Sequence, residues 1–312
     1  MGLSRRDFLK WTAAVTGTAI VGRRDKAVAE DVPRPSPERY GVLVDTTLCI
    51  GCRKCEWACN EWNKNPNQTF KSFEGKSVFN TVRRTHAHNF TVVNRFINPE
   101  TSTPVYVKRQ CMHCEEPACQ SACFVDAFKK TGKGAVIYNA DVCVGCRYCM
   151  VACPFDIPAY EYYEPLTPRI TKCTFCFDRI SKEGQVPACV QICPAETLRF
   201  GKRNELINLA HERIRNNRRK YIDHVYGEHE VGGTSWLYLS SMPFEDIGLR
   251  TDIGEKPIPN ASKGFLFMTK LFEIVAAWPL VFGAFYAISK MKQGNSRKTP
   301  PEAEKEGHGK KS

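Results

Sequence analysis

Apolar positions along this chain of 312 residues come in short runs separated by polar turns. Tyr40 to Val44 (YGVLV) is a compact apolar run and predicts a strand, with Asp45, Thr46 and Thr47 as the turn that ends it. Asn60 to Phe73 carries Asn, Pro and Lys and reads as loop. From Val78 to Ile97, Thr, Val, Phe and Arg nearly alternate, which predicts strands or a hairpin, and Pro104 to Lys108 predicts a further short strand. Gly132 to Asp141 (GKGAVIYNAD) reads as a hairpin turn and a strand. Phe155 to Arg169, rich in Tyr and Pro, predicts a linker that packs. Thr197 to Phe200 and Trp236 to Leu239 are strand-like. Between them Asn204 is expected to cap a helix of about four turns, with Leu206, Ile207, Ala210 and Ile214 on its apolar face. Arg213, Arg215, Arg218, Arg219 and Lys220 then predict a solvated basic face.

The pattern changes at both ends. Trp11 to Val21 is a weakly apolar stretch. Phe265 to Ser289 is mostly apolar, with Lys270 and Glu273 near its start, Pro279 in its middle and no charge from Ile274 to Ile288. That length predicts a transmembrane helix whose first turn lies at the interface, where Lys270 and Glu273 pair on one side. The competing reading is a buried helix of the soluble part. Residues 31–39 (DVPRPSPER) form a Pro-rich polar linker.

The net charge of +12 is concentrated at the two ends. Residues 1–29 hold six Lys/Arg against two Asp, and residues 290–312 hold seven Lys/Arg against three Glu. The basic character therefore indicates targeting and membrane orientation, not nucleic-acid binding. The opening Ser4-Arg5-Arg6-Asp7-Phe8-Leu9-Lys10, the apolar stretch and Ala27-Val28-Ala29 follow the order of a twin-arginine signal peptide, with cleavage expected after Ala29. A basic tail kept on the cytoplasmic side places the intervening domain outside, so the two ends agree on one topology.

All sixteen cysteines lie between Cys49 and Cys193, in four groups of four. Group one is Cys49, Cys52, Cys55 and Cys59. Group two is Cys111, Cys114, Cys119 and Cys123. Group three is Cys143, Cys146, Cys149 and Cys153. Group four is Cys173, Cys176, Cys189 and Cys193. Groups one and three have the spacing C-x2-C-x2-C-x3-C, the bacterial ferredoxin run in which three thiolates grip one cubane and the fourth reaches the other cluster of a pair. Groups two and four keep the opening C-x2-C and closing C-x3-C around longer insertions. A prolyl residue follows Cys153 and Cys193, as the run expects, whereas Asn60 follows Cys59 and Phe124 follows Cys123. A disulfide framework suits smaller domains and needs no repeated ligand spacing. Structural zinc takes pairs of CxxC, and three cysteines on one short loop suit a cubane better. Four clusters in one chain make an electron wire. No Gly-rich nucleotide loop and no Ser/His/Asp arrangement accompanies them, so no catalytic site is expected. His113, between two cysteines, is expected to support a site, not to ligate; His86 and His88 read as surface residues. The excursion between Cys59 and Cys111 either covers clusters, contacts a partner or extends the sheet.

The repeated groups, the twin-arginine stretch and the wording YGE…GGTSWLYLS at 226–240 together resemble the four-cluster ferredoxin-like (beta) subunits of membrane-bound respiratory oxidoreductases. The hydrogenase-2-type iron–sulfur subunit is nearest, because it carries its own signal and a C-terminal anchor; the formate dehydrogenase-N-type beta subunit is next. The resemblance implies an α+β fold of two interleaved double-cluster ferredoxin-like modules with hairpin insertions, plus one C-terminal transmembrane helix. The expected divisions are 1–29 signal, 30–263 cluster domain, 264–289 transmembrane helix and 290–312 cytoplasmic tail. It also implies four [4Fe–4S] clusters: Cys49, Cys52, Cys55 and Cys193; Cys173, Cys176, Cys189 and Cys59; Cys111, Cys114, Cys119 and Cys153; and Cys143, Cys146, Cys149 and Cys123. The implied role is electron transfer between a periplasmic catalytic partner, a Ni–Fe hydrogenase with its large and small subunits, and a quinone-reactive subunit of the inner membrane. The alternatives are a formate dehydrogenase-type beta subunit and a freestanding membrane-tethered polyferredoxin.

Overall fold

The structure is a computed structural model that describes residues 39–258, together with 278–279 and 281–291. The chain divides into two compact units, Met1–Ile258 and Pro259–Ser312.

The first unit is built on a three-stranded sheet of β1 (Tyr40–Asp45), β8 (Leu198–Lys202) and β9 (Trp236–Leu239), in the order β8-β1-β9. β8 runs antiparallel to β1, pairing Val42 with Phe200, and β9 runs parallel to it, pairing Val42 with Trp236. Alternation along β1 and β9 sends successive side chains to opposite faces. Leu43, Leu237 and Leu239 pack under a helix, α6 (Arg203–Asn216), against Leu206, Ala210 and Ile214. Val42, Val44, Trp236 and Tyr238 point the other way, into the larger core that also holds cysteines of groups one, two, three and four. Burying each large aliphatic side chain under α6 stabilises by about 1.5–3 kcal/mol, so truncating one of them, as in Leu206→Ala, would open a cavity in that layer.

α6 matches the expected helix in length and apolar face, but its N-cap is Lys202, without a side-chain cap bond, and Asn204 lies inside the first turn. Arg203 explains the earlier start: its guanidinium donates to the Thr234, Gly227 and Glu228 carbonyls, anchoring the turn to the 226–236 segment. The basic face is not wholly solvated either, since Arg213 reaches buried Asp45 at 2.8 Å.

The expected turn after β1 is present. Asp45 accepts from the Thr47 amide and hydroxyl, starting a 3-10 turn over Thr46–Leu48. The hairpin expected over 78–97 is displaced. Ser77–Asn80 is a 3-10 turn that buries Phe79, and the pairing is between β2 (Thr91–Ile97) and β3 (Pro104–Gln110). Asn98 closes their loop, accepting from the Glu100 amide. The loop expected from Asn60 begins as helix, because α1 (Lys54–Asn63) continues past Cys59. A second hairpin joins β4 (Phe128–Lys130) to β5 (Val136–Tyr138), and a third, minimal one joins β6 (Ala159–Tyr160) to β7 (Ile170–Thr171). The linker at 155–169 packs only at its start: Phe155 and Ile157 are buried, while Tyr162, Tyr163 and Leu166 are exposed.

In the second unit, residues 281–291 are helical, and Val281, Phe282, Tyr286 and Ile288 are exposed. Among the described residues no helix is long and apolar enough to cross a membrane. Most of the span expected at 264–289, including Lys270 and Glu273, and all of the signal at 1–29 and the tail at 292–312, lie outside the described residues.

Candidate metal centres

Each cysteine group folds on the same local plan. The residue before the second cysteine has a left-handed backbone in all four: Gly51, His113, Gly145 and Phe175. That conformation wraps the loop so that its thiols and amides face inward. Glycine takes it without cost, and at Gly51 nothing else fits, since a Cβ would lie 2.4 Å from the Tyr106 ring. At Phe175 a bulky residue is held there by packing on His113, Phe200 and Trp236. A second left-handed residue closes groups two, three and four three positions after the last cysteine, at Asp126, Asp156 and Glu196. Phe124 therefore enters the same turn that Pro154 and Pro194 enter. Group one lacks this turn because α1 runs on to Asn63.

Short helices follow the ligand loops: α2 (Ala118–Ser121), α3 (Tyr148–Ala152), α4 (Phe177–Lys182) and α5 (Ala188–Gln191). α1 packs on α5, joining groups one and four, and α2 packs on α3, joining groups two and three. The strands repeat this pairing, since β1 with β8 flanks groups one and four and β4 with β5 lies between groups two and three. One module is thus inserted in sequence between the two halves of the other. The YGE…GGTSW stretch fastens them together. The Glu115 amide donates to the Gly233 carbonyl, the Ser235 amide to the Met112 carbonyl, and the Ser235 hydroxyl to the Gly134 carbonyl.

None of the sixteen cysteines is joined in a disulfide. Burial pushes the Cys49 thiol up to about 11, with Cys52 and Cys193 adding repulsion. Burial raises Cys59 well above the usual range, and Cys173, Cys189 and Cys176 raise it further. Cys114 is raised by burial and then by Cys153, Cys111 and Cys119. Cys149 is pushed up to about 12 by burial, then by Cys146, Cys123 and Cys143. In each case the chain brings thiols from two distant groups close enough to repel. Influences also run between these neighbourhoods, from Cys189 to Cys55, from Cys149 to Cys119, and from Cys111 to Cys173, where Cys111 acts more strongly than Cys189.

Among the described residues, no three or more His, Cys, Asp or Glu side chains close around a single ion. Cys49, Cys52, Cys55 and Cys193 instead line one cavity with Val93 and Lys108. Buried, mutually repelling thiols ionise only against added positive charge, which iron supplies. Backbone amides already point at sulfur, from Ala127 to Cys123 at 3.3 Å, Gly145 to Cys143 at 3.4 Å and Phe175 to Cys173 at 3.3 Å. His113 accepts from the Val136 amide on Nδ1 at 2.9 Å, and burial holds the ring neutral, with its proton on Nε2. Grouped buried thiols met by backbone amides are a donor set that fits iron–sulfur cubanes.

Charged side chains that the sequence did not single out surround the thiols. Glu56, beside Cys55, is gripped by Arg53 and Arg83 and accepts from the Val93 amide. Glu115 binds Lys130 and Arg39. Lys108 and Lys172 are buried lysines whose hydrogen bonds go to neutral oxygens. His86 is exposed and meets Asn89, and His88 stacks on Tyr163 with ring centroids 4.5 Å apart.

Comparison with known proteins decides the family. Residues 48–127 and 103–203 each match a 4Fe-4S dicluster domain, and residues 2–22 match a twin-arginine translocation signal. The hydrogenase-2 operon protein HybA of Escherichia coli O157:H7 is 37% identical over 282 residues, 79% of this chain and 84% of that protein. The chain belongs to the HybA and formate dehydrogenase family of iron–sulfur electron-transfer subunits. A protein of Nitratidesulfovibrio vulgaris Hildenborough is 47% identical over 306 residues, 97% of this chain and 82% of that protein. The nitrate-inducible formate dehydrogenase iron–sulfur subunit of Escherichia coli K12 is 36% identical over 203 residues, 63% of this chain and 66% of that protein. As a member of this family the chain carries four [4Fe–4S] clusters on its sixteen cysteines and has the role of an electron carrier, not of a catalytic subunit.

Proposed function

We propose that this chain is the extracytoplasmic electron wire of a hydrogenase-type respiratory complex, held at the inner membrane by a single C-terminal span with its tail in the cytoplasm. The observation that carries the reading is the meeting of thiols from groups one and four, and from groups two and three, around separate centres. The ligand sets are then Cys49, Cys52, Cys55 and Cys193; Cys59, Cys173, Cys176 and Cys189; Cys111, Cys114, Cys119 and Cys153; and Cys123, Cys143, Cys146 and Cys149. When bound, the clusters supply reversible one-electron carriers. The chain's own residues bury them, hold their thiolates and fix their sequence. The influences between Cys55 and Cys189, Cys173 and Cys111, and Cys119 and Cys149 support an order that runs through the sets as just named.

The last set is the one open to a partner. Cys146 is exposed, and around it Phe124 (67% exposed), Val144 (61%) and Val151 (80%) form an apolar rim. Exposed apolar surface beside a redox centre suits a protein partner that excludes water from the exchange. An apolar rim suits the quinone-reactive membrane subunit, which leaves the first set for the catalytic partner.

The catalytic partner is read as a Ni–Fe hydrogenase because the twin-arginine match accompanies the longer alignment with HybA. Metal analysis of the complex pulled down through this chain from native membranes tests it. Nickel with abundant iron is expected; molybdenum or tungsten without nickel would move the assignment to a formate dehydrogenase complex. Iron with none of these metals would leave a freestanding polyferredoxin.

A further inference from the structure

Lys108 lies on β3 with 3% of its surface exposed, at the wall of the cavity lined by Cys49, Cys52, Cys55 and Cys193. Its amino group donates to Thr91 Oγ1 at 2.8 Å and to Gln110 Oε1 at 2.9 Å, and sits 4.5 Å from the Trp236 ring centroid. The surrounding hydrogen bonds fix both oxygens as acceptors. Thr91 spends its hydroxyl proton on the Arg109 carbonyl, and Gln110 turns its amide nitrogen to Tyr238, whose hydroxyl donates to the Lys108 carbonyl. The ammonium is therefore locked in place by neutral groups and an aromatic face. Glu56, the carboxylate that acts on Cys55, is already held by Arg53 and Arg83. A buried cation without a carboxylate partner is expensive unless a nearby anion answers it. The anions at hand are cysteine sulfurs, since Lys108 acts on Cys49, Cys55, Cys59, Cys173 and Cys176.

We propose that Lys108 is a fixed countercation placed between the first two clusters, where it raises the reduction potentials of both relative to the other pair. A positive charge favours the more negative, reduced state of a centre beside it, and the low local dielectric amplifies that preference. Lys108 is a positioning and tuning residue here, and binds no substrate. The inference rests on the ligand sets proposed above.

The test is a redox titration of the full complex followed by electron paramagnetic resonance, with iron counted per chain, in Lys108→Met, Lys108→Gln and Lys108→Arg. With iron retained, the neutral variants are expected to lower the reduction equilibrium of two clusters by about tenfold, about 59 mV for one electron, and to leave the other two in place. Lys108→Arg, which keeps the charge, is expected to return both potentials close to the wild-type values. Unchanged potentials, equal shifts in all four clusters, an equal shift in Lys108→Arg, or loss of iron in place of a shift would each overturn the proposal. Failure of the ligand sets is distinguishable: a wild-type chain with fewer than four clusters would refute that reading before any variant is made.

Discussion

The second and last ligand sets are built differently. In the second, Cys59, Cys173, Cys176 and Cys189 are all buried, and Cys189 joins the core beneath the β1-β8-β9 sheet. In the last, Cys146 is exposed and Cys123 and Cys143 are half-buried, with Phe124, Val142, Val144, Tyr148 and Val151 exposed around them. Both use the same ligand-loop geometry, so the loop itself does not decide solvent access. What surrounds it does: the second set lies against the larger core, whereas the short β4–β5 hairpin packs Phe128 and Val136 on the Cys119 and Cys149 side and leaves Cys146 open. One set is enclosed by its own chain and the other is left for a second protein to cover.

The largest effect expected from this contrast is in the ligands themselves. Cys189→Ser, in the buried set, is expected to cost the fold as well as a cluster, because four buried polar atoms lose their metal and stay buried. Cys146→Ser, at the open end, is expected to give a folded chain lacking at most one cluster's iron. Iron per chain and thermal unfolding of the two variants check this; equal losses of stability would break the comparison.

Next is Gly51→Ala. Its left-handed backbone and the 2.4 Å approach of the Tyr106 ring predict a loss of about 2–5 kcal/mol, measured by denaturant unfolding of the cluster-loaded protein. Gly145→Ala, with Tyr160 Oη at 3.2 Å, is expected to cost less, because that contact is a side-chain tip at the open end.

Smaller in stability but not in function is Val144→Asp with Val151→Asp. Both side chains are exposed, so the folded chain should change by no more than ~0.5 kcal/mol. Recovery of the membrane partner in a pull-down is expected to fall at least tenfold. Undiminished recovery would place the docking surface elsewhere.

The smallest effect is a pH dependence far from the clusters. The hydrogen bond to Glu230 raises the His224 pKa; burial opposes the lowering of the Glu230 carboxyl, but the His224 and backbone hydrogen bonds outweigh it and hold the carboxyl below its usual value. The His224 contribution is full below the ordinary imidazole pKa of about 6.5 and lost as pH rises through its raised folded value. The Glu230 contribution is present above the ordinary carboxylate pKa of about 4.3 and lost as pH falls through its lowered value. The pair therefore stabilises most between those limits. Solvent screening of the half-exposed imidazole keeps it below ~1 kcal/mol. Loss of the melting-temperature difference between wild type and His224→Gln on passing from mildly acidic to alkaline pH checks the sign.

Much of the site was legible in the sequence because ligand spacing is local. The four groups, the repeat and the strands at Tyr40–Asp45, Leu198–Lys202 and Trp236–Leu239 follow from short-range pattern. What was not legible depended on distant partners. The strand expected at Val78 became a turn because Phe79 packs against Tyr106 and its neighbours no longer have a strand to pair with. The helix expected to be capped by Asn204 is capped two residues earlier, at Lys202, because Arg203 finds three carbonyls some 24 to 31 residues away. Lys108 read as an ordinary strand residue, since nothing near it in sequence announces that its charge is buried among cysteines from two other groups. The left-handed repeat at His113 and Phe175 was hidden because neither is the glycine that such a position normally takes.

Four complete cubanes on a single chain fix its content of iron and acid-labile sulfide, and the two should be measured together per chain in protein purified without oxygen. About sixteen of each per chain is the predicted result, four for every [4Fe–4S] set. About eight, or zinc in place of iron, would contradict it.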